Sequence, residues 1–191
     1  MSRIAPLNPP YAPEIQAAFD AIMPPGVPPL VLFRTLAVNE RIYQRFRAGG
    51  LLDRGLLTLR QREIVIDRTC AVNRCEYEWG VHIAVFAAKA KLTPRQIEAT
   101  VLGGDAGWTE DEQMLLDVCE ELDSARTLSD ALWSRLSRHF TSEQILEIIA
   151  LIGFYRTVSL HANALRLPLE PTAARFSQPS MAGASQQTNQ G

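Results

Sequence analysis

Apolar residues recur along most of this chain at three- and four-residue spacing, the period of one helix face. The periodic runs have recognisable beginnings. Thr58-Leu59-Arg60-Gln61, Thr93-Pro94-Arg95-Gln96, Thr109-Glu110-Asp111-Glu112 and Thr141-Ser142-Glu143-Gln144 each place a long polar side chain three residues after a hydroxyl. In that pattern the hydroxyl accepts from the third helical amide while the long side chain reaches back to the cap, which starts a helix. Pro94 adds a residue whose missing N–H costs nothing at a first helical position. These starts predict helices over 59–72, 94–102, 110–125 and 142–165, with another over 75–90 and a shorter one over 129–139. Upstream, 13–23 and 30–48 read as helices on either side of the breaker Pro24-Pro25-Gly26-Val27-Pro28-Pro29. No alternating strand pattern bounded by turn residues occurs, so the predicted fold class is all-α, a single-domain helical bundle.

The punctuation also divides the chain. Residues 1–29 form a proline-rich arm and helix, 30–171 the helical domain, and 172–191 a tail rich in Ser, Gln, Ala and Gly that is expected to be disordered. Glu63-Ile64-Val65-Ile66 is echoed 84 residues later by Glu147-Ile148-Ile149-Ala150, as a duplicated helical hairpin would produce. In that echo Cys75, Glu78 and His82 fall opposite Ser159, Ala162 and Arg166, so any chemistry belongs to the first copy.

Those three residues are the main chemical signal. At 100° per residue, Cys75, Glu78 and His82 lie within an arc of about 60° on one helix face, where thiol, carboxylate and imidazole can exchange protons. Glu63 stands on the apolar side of the preceding helix with Leu59, Ile66 and Cys70, so it is either ion-paired or desolvated. The helix over 75–90 is apolar nearly all round and is expected to be central. Cys75, in its first turn, should be drawn toward the thiolate by the helix dipole. Cys70 and Cys119 sit in apolar-periodic helices and read as core residues. The bland alternative pairs Glu63 and Glu78 with Arg62, Arg74 or Arg156. A metal site of Glu63, Glu78 and His82 has too few ligands in a recognised spacing, and no metal or organic cofactor is expected. Gly103-Gly104-Asp105 follows no strand and reads as a turn, not a phosphate cradle.

Composition adds exclusions. Of 191 residues 47% are hydrophobic, enough for one core, and 19 Lys+Arg against 21 Asp+Glu leave a net charge of -2. No basic cluster marks a nucleic-acid partner, and no charge-free run of twenty apolar residues predicts a membrane span. Three cysteines, an odd number, suit a reducing, cytoplasmic setting.

The segments Asn39-Glu40-Arg41-Ile42-Tyr43, Arg60-Gln61-Arg62-Glu63 and Asn73-Arg74-Cys75-Glu76-Tyr77-Glu78-Trp79-Gly80-Val81-His82 together resemble the carboxymuconolactone decarboxylase family, which includes the alkylhydroperoxidase D-like proteins. The resemblance covers about residues 30–102, and more loosely the later Phe154-Tyr155-Arg156 and Asn163-Ala164-Leu165-Arg166-Leu167-Pro168-Leu169. It implies an all-helical fold assembling as trimers or hexamers, with a small pocket near the motif. Peroxidase members carry Cys-x-x-Cys, whose second thiol attacks peroxide and whose first resolves it. Here those positions hold Cys75 and Glu78, so that disulfide cannot form. Cys70 lies five residues before Cys75, and a bridge would need their Cα atoms within about 7 Å. Three readings stay open. Cys75 acts as a single peroxidatic thiol on small hydroperoxides, with Glu63 and His82 relaying its proton and an external thiol as reductant. Alternatively, Glu78 and His82 form an acid–base pair on a small carboxylated or lactone substrate, as in the decarboxylase branch. In the third, the fold is a non-catalytic scaffold or binding protein. The roles of Arg156 and His161 are undecided at this level.

Overall fold

A computed structural model describes residues 2–176. Among them are nine helices and no strand: α1 (Pro13–Asp20), α2 (Val31–Leu36), α3 (Glu40–Ala48), α4 (Leu59–Val72), α5 (Glu76–Phe86), α6 (Pro94–Leu102), α7 (Glu110–Ala125), α8 (Asp130–His139) and α9 (Ser142–Leu165). The all-α expectation holds. Each of the four predicted capping boxes is formed, by Thr58 and Gln61, Thr93 and Gln96, Thr109 and Glu112, and Thr141 and Gln144. Such pairs satisfy amides that the first helical turn leaves without partners, which is why these starts were legible.

Several element boundaries differ from expectation. The helix predicted over 30–48 is two helices, because Asn39 adopts an extended conformation and its side chain accepts from Ile42 N at 3.2 Å. An Asn so placed competes with helix continuation and starts a new one. The helix predicted over 75–90 runs from Glu76 to Phe86, with Cys75 as its N-cap, and the helix predicted over 13–23 ends at Asp20.

The central element is α4, not α5. Glu63, Ile64, Val65, Ile66, Asp67, Thr69 and Cys70 are all buried, so α4 is covered around its circumference. It packs on α5, α6, α7 and α9. By contrast α5 is buried through its first half, while Ala84, Val85 and Ala88 near its end are exposed. Helix α9 is long and apolar enough to cross a bilayer by length and composition, and here Ile148, Leu151, Tyr155 and Val158 bury one side of it against the core.

The chain end returns over α5. Glu170 Oε1 accepts from Tyr77 Oη and from Val31 N, both at 2.5 Å. Ala174 N donates to Gly80 O at 2.9 Å, and the Phe176 ring lies 5.0 Å from Trp79. Residues 172–176, expected to begin a disordered tail, are therefore docked; aromatic packing and two backbone anchors offset the entropy of ordering them. The rest of that predicted tail, 177–191, lies outside the described residues.

Gly80 permits this close approach, since a Cβ there would run into the Ala174 carbonyl, whereas one at Gly153 would meet nothing within 4 Å. Gly80→Ala is expected to lower the melting temperature by displacing the strap. Gly153→Ala should raise stability by about 0.5–1 kcal/mol through helix propensity. Thermal denaturation of both variants checks the pair.

Candidate functional site

The site forms where α4 turns into α5. Arg74 takes the left-handed conformation, φ 53, and donates to Ala71 O at 2.9 Å while Cys75 N donates to Cys70 O at 2.8 Å. This paired closure ends α4 and swings α5 back along it. Side chains one to two turns from the elbow on each helix are thereby brought face to face.

Glu63 of α4 and His82 of α5 meet there, with Glu63 Oε2 at 2.7 Å from His82 Nδ1. The other Glu63 oxygen accepts from Arg62 Nε and Nη2 at 2.9 and 2.8 Å. Glu78, one turn before His82, sets Oε1 at 3.4 Å from His82 Nε2. The imidazole is thus held between two carboxylates. Glu63 is fully buried, His82 is 2% exposed and Glu78 7%. Burial alone would push the His82 pKa down, but the hydrogen bonds and charges of Glu63 and Glu78 outweigh it and hold the ring up to about 10. That direction makes His82 an imidazolium at neutral pH, hydrogen-bonded to Glu63 through Nδ1 and ion-paired with Glu78 through Nε2.

Of these residues, Glu78 lines a cavity. The cavity, of about 360 Å³, is also lined by Phe33, Phe46, Arg47, Phe154 and Tyr155. Glu78 Oε2 and Arg47 Nε are buried without a hydrogen-bond partner. The Tyr155 ring stands edge-on to His82 at 5.0 Å. Burial and then the Glu78 charge push its phenol far up, so Tyr155 stays neutral and can donate. The carboxylates of Glu78 and Asp53, the Tyr155 phenol and the Arg47 guanidinium thus share a cavity otherwise lined by aromatic and aliphatic residues, the common make-up of a small-molecule site.

Cys75 departs from expectation. It is fully buried, and burial pushes its thiol up to about 11, outweighing the helix-start amides of Glu78 and Tyr77 and the Ser159 hydroxyl that favour the thiolate. The dipole was read correctly in sign, and desolvation is the larger effect. Cys75 is absent from the cavity wall. Of the four residues predicted as a group, Glu63, Glu78 and His82 come into contact; the Cys75 thiol turns instead toward Cys70 and Ser159.

Arg156 pairs with Asp123 at 3.1 Å, and His161 Nδ1 lies 2.8 Å from Thr157 O, so neither joins this cavity. Cys119 is a core residue between Thr69 and Val65 O. Asp67, Tyr155 and Arg47 were not found from sequence. Asp67 had a signal, lying four residues after Glu63 on the same helix face. Its carboxyl is pushed well up by burial, against the pull of His82. Ligand atoms of Glu63, Asp67 and His82 lie within 4.8 Å of one another, a set in which Asp67 replaces the Glu78 considered from sequence. The set fits a cation poorly: Nδ1 is taken by Glu63, and Glu63 already bears the Arg62 guanidinium.

Residues 39–113 match the model of the carboxymuconolactone decarboxylase family. This segment belongs to that family. It contains the whole Glu63–His82–Glu78 array. No protein of curated function matches the chain in sequence. Among solved structures, an uncharacterized peroxidase-related protein from Silicibacter sp. TM1040 is similar over 87% of this chain and 90% of its own, at TM-score 0.75 and 19% identity. An uncharacterized peroxidase-related protein with the alkylhydroperoxidase AhpD core, from Ralstonia eutropha JMP134, is similar over 73% and 76%, at 0.66 and 24%. The debrominase Bmp8 in complex with 2,3,4-tribromopyrrole is similar over 90% and 94%, at 0.71 and 15%. These likenesses establish the alkylhydroperoxidase D-like fold.

Charge at His82 has a measurable consequence. With the folded pKa raised to about 10, the imidazolium's pairing stabilises the fold fully below pH 6.5 and is lost as pH rises toward 10. Across that window the folded state holds more protons than the unfolded chain, so unfolding free energy falls by up to about 1.4 kcal/mol per pH unit. Urea denaturation from about pH 6.5 to 9 should show this decline, and a shallower one in His82→Gln.

Proposed function

We propose that this chain catalyses proton transfer on a small, largely apolar substrate bound in the aromatic cavity, with Glu78 as the group that exchanges the proton. The observation that carries this reading is the state of Glu78. One oxygen rests against the His82 imidazolium, the other is buried without a partner, and the residue lines the cavity. A buried polar atom without a partner is costly unless a ligand supplies one.

The array divides the work. Glu78 Oε2 takes a proton from a substrate C–H or O–H, and the same carboxyl can return it to the carbanion left when carbon dioxide departs. His82 sets its ring beside one Glu78 oxygen throughout, which orients the carboxyl for the exchange. Glu63, fixed by Arg62, holds the imidazole by Nδ1 and compensates its charge, so that Nε2 stays aimed at Glu78. Arg47 offers an unpaired Nε to a substrate carboxylate, and Tyr155 offers a neutral phenol. This supports decarboxylase or lyase chemistry on a small carboxylated or lactone substrate.

A second reading keeps the peroxidase-related character of two structural neighbours: Cys75 attacks a hydroperoxide and an external thiol reduces it. Against it stand the complete burial of Cys75 and a thiol raised to about 11, which leaves little thiolate at neutral pH. One pair of variants separates the two. Glu78→Gln is expected to cut turnover of a responsive carboxylate or lactone by about 10²-fold or more. Cys75→Ser should stay within a few-fold of the parent. Carboxylate or lactone turnover lost in Cys75→Ser and kept in Glu78→Gln would reverse the assignment.

A further inference from the structure

Cys70 and Cys75 occupy the two positions that the end of α4 brings together. In the paired closure, the residue three before the cap and the residue two beyond it are joined by a backbone hydrogen bond, and their side chains pack on each other. Those residues are Cys70 and Cys75, joined at 2.8 Å from N to O. The covalent steps from each Cα to that bond add at most about 4 Å, so the Cα atoms are within about 7 Å, a span that a disulfide tolerates. Ser159 of α9 lies within hydrogen-bonding reach of both thiols and donates to Tyr155 O at 2.8 Å. Both cysteines are free and fully buried.

We propose that Cys70 and Cys75 are a two-electron redox site, a dithiol that a small hydroperoxide converts to a disulfide across the α4–α5 elbow. With hydrogen peroxide, Cys75 Sγ bonds to one peroxide oxygen, the O–O bond breaks, and water leaves behind a sulfenic acid. Cys70 Sγ then attacks that sulfur, the S–O bond breaks, and the hydroxyl leaves as a second water with the Cys70 proton. Two thiols and one peroxide become one disulfide and two waters. The spacing is Cys-x4-Cys across a helix end, with no part for position 78. It therefore operates independently of the acid–base reading of Glu78.

Cys75 reacts first. Its thiol lies against the amides of Tyr77 and Glu78 that start α5 and favour the thiolate, whereas burial pushes Cys70 well up with no such amides beside it. Glu78, one turn from Cys75, lines the cavity, which gives a peroxide little larger than water a short route inward. The same burial makes the reaction slow at neutral pH. Below a thiol pKa of about 11 its rate should rise about tenfold per pH unit.

The test uses the full chain with hydrogen peroxide at about pH 9, trapped with N-ethylmaleimide in denaturant and digested by trypsin without reduction. Cleavage at Arg68, Arg74 and Lys89 puts Cys70 and Cys75 on separate peptides, which travel together only when bridged. The expected result is a linked 69–74/75–89 species two hydrogens lighter than the reduced pair. Alkylatable thiols should fall from three to one, at Cys119, with reversal by dithiothreitol. Glu78→Gln should form the same link, and Cys70→Ser or Cys75→Ser should not. Three thiols still alkylatable, a link through Cys119, or Cys75 oxidised to sulfinic acid with Cys70 free would overturn the proposal.

Discussion

The hydrogen bond between Glu63 and His82, at 2.7 Å and out of solvent, is the constraint around which the rest of the site is arranged. It joins the central helix to the helix that follows it, and it places a charge pair where water cannot screen it. Removing one partner from such a pair typically costs about 3–5 kcal/mol, because the other is left buried and uncompensated. Its neighbours answer that cost. Arg62 covers the outer oxygen of Glu63, and Glu78 takes the second nitrogen of the ring. The result is an array of alternating charge running from Arg62 to Glu78, a residue that has one buried, unpaired oxygen and lines the cavity. Structure and chemistry coincide there, since what holds α5 against α4 also positions the carboxylate at the cavity.

The helix frame was readable because it is local. A hydroxyl and a long polar residue three positions apart satisfy each other without help from the rest of the chain, so four helix starts could be read directly. What depended on distant partners was less legible. α5 looked central because it is apolar nearly all round, yet its last turns face outward. α4, with its Arg and Asp residues, is the helix enclosed on every side. Its long arginines are tolerated because they find partners on other elements: Arg68 on Glu120 and Thr100 O, Arg60 on Glu112 and Ala90 O. Hydropathy alone does not reveal such pairing. The docked strap was hidden likewise, as nothing local to Ala174 and Phe176 signals that Gly80 and Trp79 await them.

The site divides along the same line. Glu78 and His82 share a face of one helix by spacing, and they meet. Glu63 was placed on an apolar side, and it is buried and paired. Cys75 obeys the same face rule but sits one residue before the helix, where the chain reversal turns its thiol toward Cys70. A one-residue shift at a helix start thus moved a thiol from the expected site to a separate one. Tyr155, from a helix 77 positions beyond Glu78, and Arg47, from α3, reach the cavity only through tertiary packing.

The central claim, an imidazolium hydrogen-bonded to Glu63 and ion-paired with Glu78, is tested most directly by nitrogen-15 NMR of the ring. Histidine labelling gives three imidazole signals, and His82→Gln assigns the one that matters. Its two nitrogens should remain protonated through neutral pH and titrate only near 10. A His82 ring that loses its proton between about pH 6 and 7, as a free histidine does, would contradict the account.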